Sequence, residues 1–178
     1  MSTSATQTPT TVAAIKSPKQ QFHEAFERET ATTLKVLRAY PEDQGELRPH
    51  ERLKTARELG ALLNMEMGVM DAVIRGTYSF PPQRAATPQD WKEVIDTFDK
   101  TRESALEALR NATDESLATG TAEFPTAPKT VGPWPKMEFL WFLLSDQIHH
   151  RGQLSIYLRI AGGKLPSIYG PTADEPWF

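Results

Sequence analysis

Apolar residues recur at intervals of three and four along most of this chain, and the pattern breaks at prolines and glycines. Phe22, Phe26, Thr30, Thr33, Leu37 and Tyr40 predict a first helix from about Lys19, just after Pro18, to Tyr40, where Pro41 ends it. The proline-punctuated stretch to His50 reads as a connection. Leu59, Leu62, Leu63, Glu66, Met70, Val73 and Ile74 form the inward face of a second helix over Leu53 to Arg75, and Gly76 supplies its stop. A third helix is entered at Thr87-Pro88-Gln89-Asp90, with Thr87 the expected N-cap and Pro88 the first helical residue. It carries Trp91, Val94, Ile95, Phe98, Arg102, Ala105, Leu106 and Leu109 toward a core. From Asn111 to Trp134 the text turns to Thr, Gly and Pro, which predicts a long connection of Ω type or with a short extended element. The fourth helix runs from about Pro135 to Ala161 and closes on Gly162-Gly163.

Four amphipathic helices without convincing strand alternation predict an all-α four-helix bundle over residues 18–178. Tyr169, Trp177 and Phe178 in the tail are expected to fold back onto it, since loose aromatic rings would be sticky. Residues 1–17, rich in Ser and Thr, bury too little to order themselves and are expected to be a disordered tail.

The fourth helix breaks the pattern in an informative way. Asp146, His149, His150 and Gln153 lie on one side of an otherwise apolar segment, Met137 to Ile160, while Leu144 and Ile148 project away from them. Buried carboxylates and imidazoles must be paired, hydrogen-bonded or metal-bound, so this stripe is either a site or a polar network. His149 reads as an exposed or hydrogen-bonded neighbour, and Gln153 as a donor to Asp146 or to a ligand. The Arg151 guanidinium is expected to hold a carboxylate, with Glu58 as a candidate partner. His23, among Gln20, Gln21 and Glu24, reads as part of a solvated face; His50 lies in a loop and has no assigned role.

The stretch DQIHHRGQLSIYLRIAGGKLPSIYGPTAD, Asp146 to Asp174, closely resembles the DinB/YfiT-like family. That family carries a His-x-x-His-His-Arg-Gly-Gln type signature on its last helix and a Pro-x-x-Tyr-Gly tail. Lys54-Thr55-Ala56-Arg57-Glu58-Leu59 is similar to the family's second-helix start, and the resemblance spans roughly residues 19 to 174. It implies an up-down-down-up bundle and a divalent metal held by three histidines, one from the second helix and two from the fourth. Here His150 matches the last ligand, Asp146 stands where the family has His, and Leu62 falls at or next to the remaining histidine. The usual three-histidine site is therefore expected to be lacking. Glu66, one turn beyond Leu62, could supply an oxygen, giving a Glu66, Asp146, His150 set harder than the family's and suited to Zn, Ni, Mn or Fe. The preferred expectation is a hydrogen-bonded cluster, with a bound divalent metal as the alternative.

Composition narrows the functions. A chain of 178 residues with 39% hydrophobic and 24% charged residues suits one soluble domain. Its net charge of −3 argues against nucleic-acid binding, despite what the family's name suggests. With no cysteine there is no disulfide, thiolate ligand or protein thiol nucleophile, so thiol chemistry would need an external low-molecular-weight thiol. No apolar run approaches the ~20 residues that cross a bilayer, and no secretory signal is present, so a cytoplasmic protein is expected.

The resemblance implies a metal-dependent thiol transferase or hydrolase. Against it stands a metal-free bundle that binds a small molecule in its interior or serves as a dimeric scaffold, favoured by hydrocarbon at Leu62. A metal-free acid–base hydrolase on Asp146 and His150, with Ser145 or Ser155 as nucleophile, ranks last, and no catalytic residue is assigned. Homodimerisation is expected because bundles with apolar outer stripes commonly pair.

Overall fold

The computed structural model describes residues 15–83 and 86–178, so the tail expectation for residues 1–14 lies outside the described residues. Helix α1 spans Pro18–Ala39, opened by a capping box between Ser17 and Gln20 with Pro18 at the first helical position. A 3-10 turn, Glu42–Gln44, follows. Helix α2 is Ala56–Arg75, three residues shorter at its start than the periodicity suggests. The Thr55 hydroxyl caps Glu58 N at 3.1 Å while the Glu58 carboxylate accepts from Thr55 N at 2.7 Å, and that reciprocal cap sets the boundary. Gly76, at φ 73, closes the helix in a left-handed conformation.

Helix α3 is Trp91–Asn111. Its N-cap is Asp90 rather than Thr87: the Asp90 carboxylate accepts from Glu93 N at 2.8 Å, an arrangement that the Thr-Pro pair three residues earlier does not make. The short α4, Asp114–Ala118, leads into a hairpin of β1, Thr121–Ala127, and β2, Thr130–Pro135. Helix α5, Lys136–Ile160, follows β2 directly.

Of the two forms expected for the 111–134 connection, the structure shows the one with a short extended element, as a two-stranded hairpin beside an otherwise helical bundle. It is antiparallel, with Phe124 opposite Gly132, and turns at Pro128 and at Lys129, which holds φ 62. Pro125, Pro133 and Pro135 lie within it and remove ladder donors, which both disguises strand alternation in the sequence and disfavours a third strand. Leu117 and Ala122 are buried, so α4 and the hairpin cover one end of the bundle.

Cross-helix contacts establish the topology. Phe22 meets Trp141 and Glu29 meets Arg151, so α1 and α5 run parallel. Trp91 donates to Leu37 O and Arg102 to Thr30, so α1 and α3 are antiparallel. Asn64 reaches Val94 O and Arg75 reaches Ser104, so α2 and α3 are parallel. Glu66 meets His150 and Tyr157 donates to Lys54 O, so α2 and α5 are antiparallel. The result is the up-down-down-up bundle implied by the resemblance. The core runs between the helices through Phe22, Phe26, Leu37, Leu59, Leu63, Met67, Met70, Trp91, Phe98, Leu109, Phe139 and Leu154. No helix among the described residues is long and apolar enough to cross a membrane.

The tail meets the bundle in part: Leu165 and Ile168 pack against the core and Lys35 donates to Glu175. Tyr169 reaches the bundle through its hydroxyl and through its ring, over which the Arg151 guanidinium lies 5.3 Å from the centroid, while Trp177 is largely exposed and Phe178 wholly so. Trp177 Nε1 donates to Ser167 Oγ at 3.1 Å, a contact within the tail itself.

Candidate metal centre

The inward face of α5 is the leucine face, not the polar stripe. Leu140, Leu143, Leu144, Leu154 and Leu158 are buried there together with Gln147 and Arg151. The stripe runs along the margin of that face: His149 and Gln153 are exposed, Asp146 and His150 half-buried. At 100° per residue, His150 turns toward α2 while Arg151 turns toward α1.

Toward α2, His150 Nδ1 lies 2.5 Å from Glu66 Oε1 and 3.9 Å from Asp146 Oδ1. One donor atom from each of Glu66, Asp146 and His150 falls within 4.8 Å of the others. Exposure rises across the group, from 3% for the Glu66 side chain through 15% for His150 to 39% for Asp146. The centre thus has an inner carboxylate and an outer one. Glu66 Oε2 is buried and has no hydrogen-bond partner among the described residues.

Burial pushes the Glu66 carboxyl up, against the pull of the neighbouring imidazole, and Asp146 adds to the rise. The hydrogen bond to Glu66 raises His150, despite the opposing effect of its own burial. Both directions mean the pair retains its proton to higher pH than either group alone.

These residues fit a divalent cation. One imidazole and two carboxylates form a hard, borderline donor set, and the orphaned Glu66 Oε2 is an acceptor that no described residue uses. Bonds near 2.1 Å in a tetrahedral centre place neighbouring donors about 3.4 Å apart. Glu66 and His150 would have to part from hydrogen-bond contact and give up their shared proton, so cation and proton compete for the same atoms.

Other expectations change on contact with the fold. Arg151 pairs with Glu29 on α1, not with Glu58: it donates 2.9 Å bonds to Glu29 O and Oε2. Glu58 is occupied at the start of α2, where it caps Thr55 and meets Arg48. Gln153 Nε2 lies 2.8 Å from His149 Nε2 on the outer surface, and neither turns to Asp146. His23 is half-buried, with Nε2 enclosed and unpartnered among the described residues, because the face it shares with Phe22 and Phe26 turns partly inward. His50 is exposed and Nδ1 accepts from Arg52 N.

Two polar features escaped the sequence reading. Gln147 is wholly buried with neither side-chain polar atom partnered among the described residues; its position at the centre of the leucine face, one residue from Asp146, was the available signal. The Tyr169 hydroxyl donates to Glu29 Oε2 at 2.6 Å and accepts from Arg151 Nη2 at 2.6 Å. The motif around Tyr169 was visible, but its partner on α1 was not.

Known proteins share this frame. A DinB-like protein from Bacillus cereus ATCC 10987 superposes with a TM-score of 0.68 at 23% identity, over 83% of this chain and 95% of that one. A second DinB-like protein, YjoA from Bacillus subtilis, gives 0.65 at 19% identity over 83% and 96%. In sequence, 110 residues are 26% identical to the uncharacterized protein YrdA of Bacillus subtilis strain 168. That match takes in 61% of this chain and spans 62% of the length of YrdA. The model of the DinB superfamily matches residues 25–154, which include α2, α3 and the part of α5 that bears Asp146 and His150. The chain belongs to the DinB superfamily.

Proposed function

We propose that Glu66, Asp146 and His150 form a divalent-cation centre and that the protein is a metal-dependent transferase or hydrolase using an external thiol or water as nucleophile. The observation that carries this reading is the buried, unpartnered Glu66 Oε2 beside a second carboxylate and an imidazole. An acceptor left without a partner in the interior costs on the order of 1–3 kcal/mol, which a ligand to that atom would recover. A bound cation would supply Lewis acidity, lowering the pKa of a thiol or water that occupies an open position.

The protein's own residues divide the remaining tasks. Glu66 anchors the centre from α2, Asp146 faces solvent where a nucleophile would arrive, and His150 joins them from the next turn of α5. The Glu66 and His150 shared proton must leave as a cation binds, so affinity rises with pH. With two carboxylates replacing two histidines, the set favours Mn or Fe more than the family's arrangement does.

A second reading follows from the 2.5 Å contact between Glu66 and His150. In it the pair is closed on itself, and the bundle is a metal-free binding or scaffold protein. The test is elemental analysis of protein purified without chelator, followed by melting curves with Mn, Zn and Ni. Stoichiometric metal that raises the midpoint in the wild type but not in Glu66→Gln supports the cation centre. Protein that stays metal-free after incubation with all three, with an unmoved midpoint, rejects it in favour of the closed pair.

A further inference from the structure

The same helix α2 that carries Glu66 also forms one wall of a slot on its other side. Helices α2 and α3 touch closely at one end, where a Cβ on Gly60 would come within 2.7 Å of Val94 Cγ1. Farther along they are pinned again, by Asp71 and Arg75 against Ser104. Between these contacts the helices leave a cavity of about 460 Å³, closed on the third side by the segment after α2 that includes Thr77, Tyr78 and Ser79. Gly68 lies in its wall, and a Cβ built there meets nothing within 4 Å. Two glycines two turns apart on one helix thus have opposite surroundings, the first a tight contact and the second open space.

Two wall residues have unused hydrogen-bonding capacity. Asn64, 8% exposed, donates Nδ2 to Val94 O at 3.2 Å, and this leaves its buried Oδ1 without a partner among the described residues. The Tyr78 hydroxyl is likewise buried and unpartnered, while its ring is held 5.7 Å from Phe139. Among the twelve lining residues there is no Asp, Glu, Lys, Arg or His. A charged occupant would find no counter-charge among these described lining residues.

We propose that the slot between α2 and α3 is a binding site for an uncharged small molecule with an apolar body and both a hydrogen-bond donor and an acceptor. The donor meets Asn64 Oδ1 and the acceptor meets the Tyr78 hydroxyl, while Met65 and Val69 pack on the apolar part. The volume falls in the range of small-molecule sites, and the lining mixes the apolar Met65, Val69 and Pro82 with uncharged hydroxyl and amide side chains. Glu66, Asp146 and His150 do not line the slot, so this inference is independent of the cation centre.

Benzamide is the probe, neutral and bearing both kinds of group; benzoate and benzylamine are its charged counterparts of similar shape. Each is titrated into chelator-treated, 15N-labelled full chain, and amide shifts are followed by NMR. Benzamide is expected to move the Asn64 side-chain amide and the Gly68 backbone amide saturably, with the charged pair at least tenfold weaker. Asn64→Leu should weaken benzamide at least tenfold. Gly68→Leu and Thr101→Met, which fill the slot from facing walls, should abolish the shifts while leaving resonances elsewhere dispersed. Absence of a saturable shift in the wild type would mean that the slot holds water only and would overturn the proposal. So would equal binding of the charged probes, or undiminished binding in a folded filled variant.

Discussion

His150 and Arg151 are neighbours in sequence, yet they belong to two polar clusters with opposite character. Arg151 enters a network in which each group has a use: its guanidinium meets Glu29 twice and Tyr169 once, and Arg28 takes the other Glu29 oxygen. Burial alone would raise the Glu29 carboxyl, but hydrogen bonds from Tyr169 and Arg151 overcome it and hold the group below its ordinary value. His150 enters a centre in which Glu66 Oε2 has no partner among the described residues and burial prevails, so that the Glu66 carboxyl rises. A satisfied buried ion pair fixes α1, α5 and the tail in one arrangement, whereas an under-satisfied one retains acceptor capacity for something else. Buried charge by itself therefore does not single out the candidate centre; the unused lone pairs do.

The largest effect expected from this contrast is on stability. Arg151→Ala strands the Glu29 carboxylate in the interior and should cost about 3–5 kcal/mol in chemical denaturation. A loss below about 1 kcal/mol would break the comparison. Next, the two clusters should pull stability in opposite directions with pH. Glu29 is lowered in the fold, so its contribution is complete above an ordinary carboxyl pKa of about 4.3 and is lost as pH falls through the lowered value. His150 is raised, so its contribution is complete below about pH 6.5 and is lost as pH rises through the raised value. Melting temperatures measured across pH should show an acid limb that Glu29→Gln flattens and an alkaline limb that His150→Gln flattens.

Smaller changes sharpen the same contrast. Tyr169→Phe removes one hydroxyl from the satisfied network and should destabilise by about 1 kcal/mol, moderated because the tyrosine is largely exposed. Glu66→Leu removes a buried carboxylate that the protein only half satisfies. Its effect on stability in chelator-treated protein should stay within about 1 kcal/mol of zero, while any metal taken up by the wild type is lost. A large destabilisation by Glu66→Leu in metal-free protein would show the centre to be architecture like its neighbour.

The four long helices were legible because their apolar spacing, their prolines and Gly76 act locally, and their predicted limits lie within about three residues of the observed ones, whereas the five-residue α4 is too short to show a periodicity. Asp90 displaced Thr87 as a cap because both are good caps and only the backbone geometry chooses between them. The hairpin was hidden by Pro125, Pro133 and Pro135, which suppress the pattern by which strands are recognised. At the site, Asp146 and His150 were legible as an i, i+4 pair, and the family resemblance directed attention to Glu66 on α2. Arg151 was assigned the wrong carboxylate because several acids were available to it in sequence and only the packed helices select Glu29.

What the residue string settles on its own is local: where helices begin and end, which faces are apolar, and that one of them interrupts its leucines with acid and imidazole. Partnership is a different kind of fact. A 100° step along α5 sends one side chain to α2 and the next to α1, and the side that each faces depends on how four helices pack together. Only that packing joins Glu66 to His150 across 84 residues of chain, and it alone leaves one carboxylate oxygen there without a donor among the described residues.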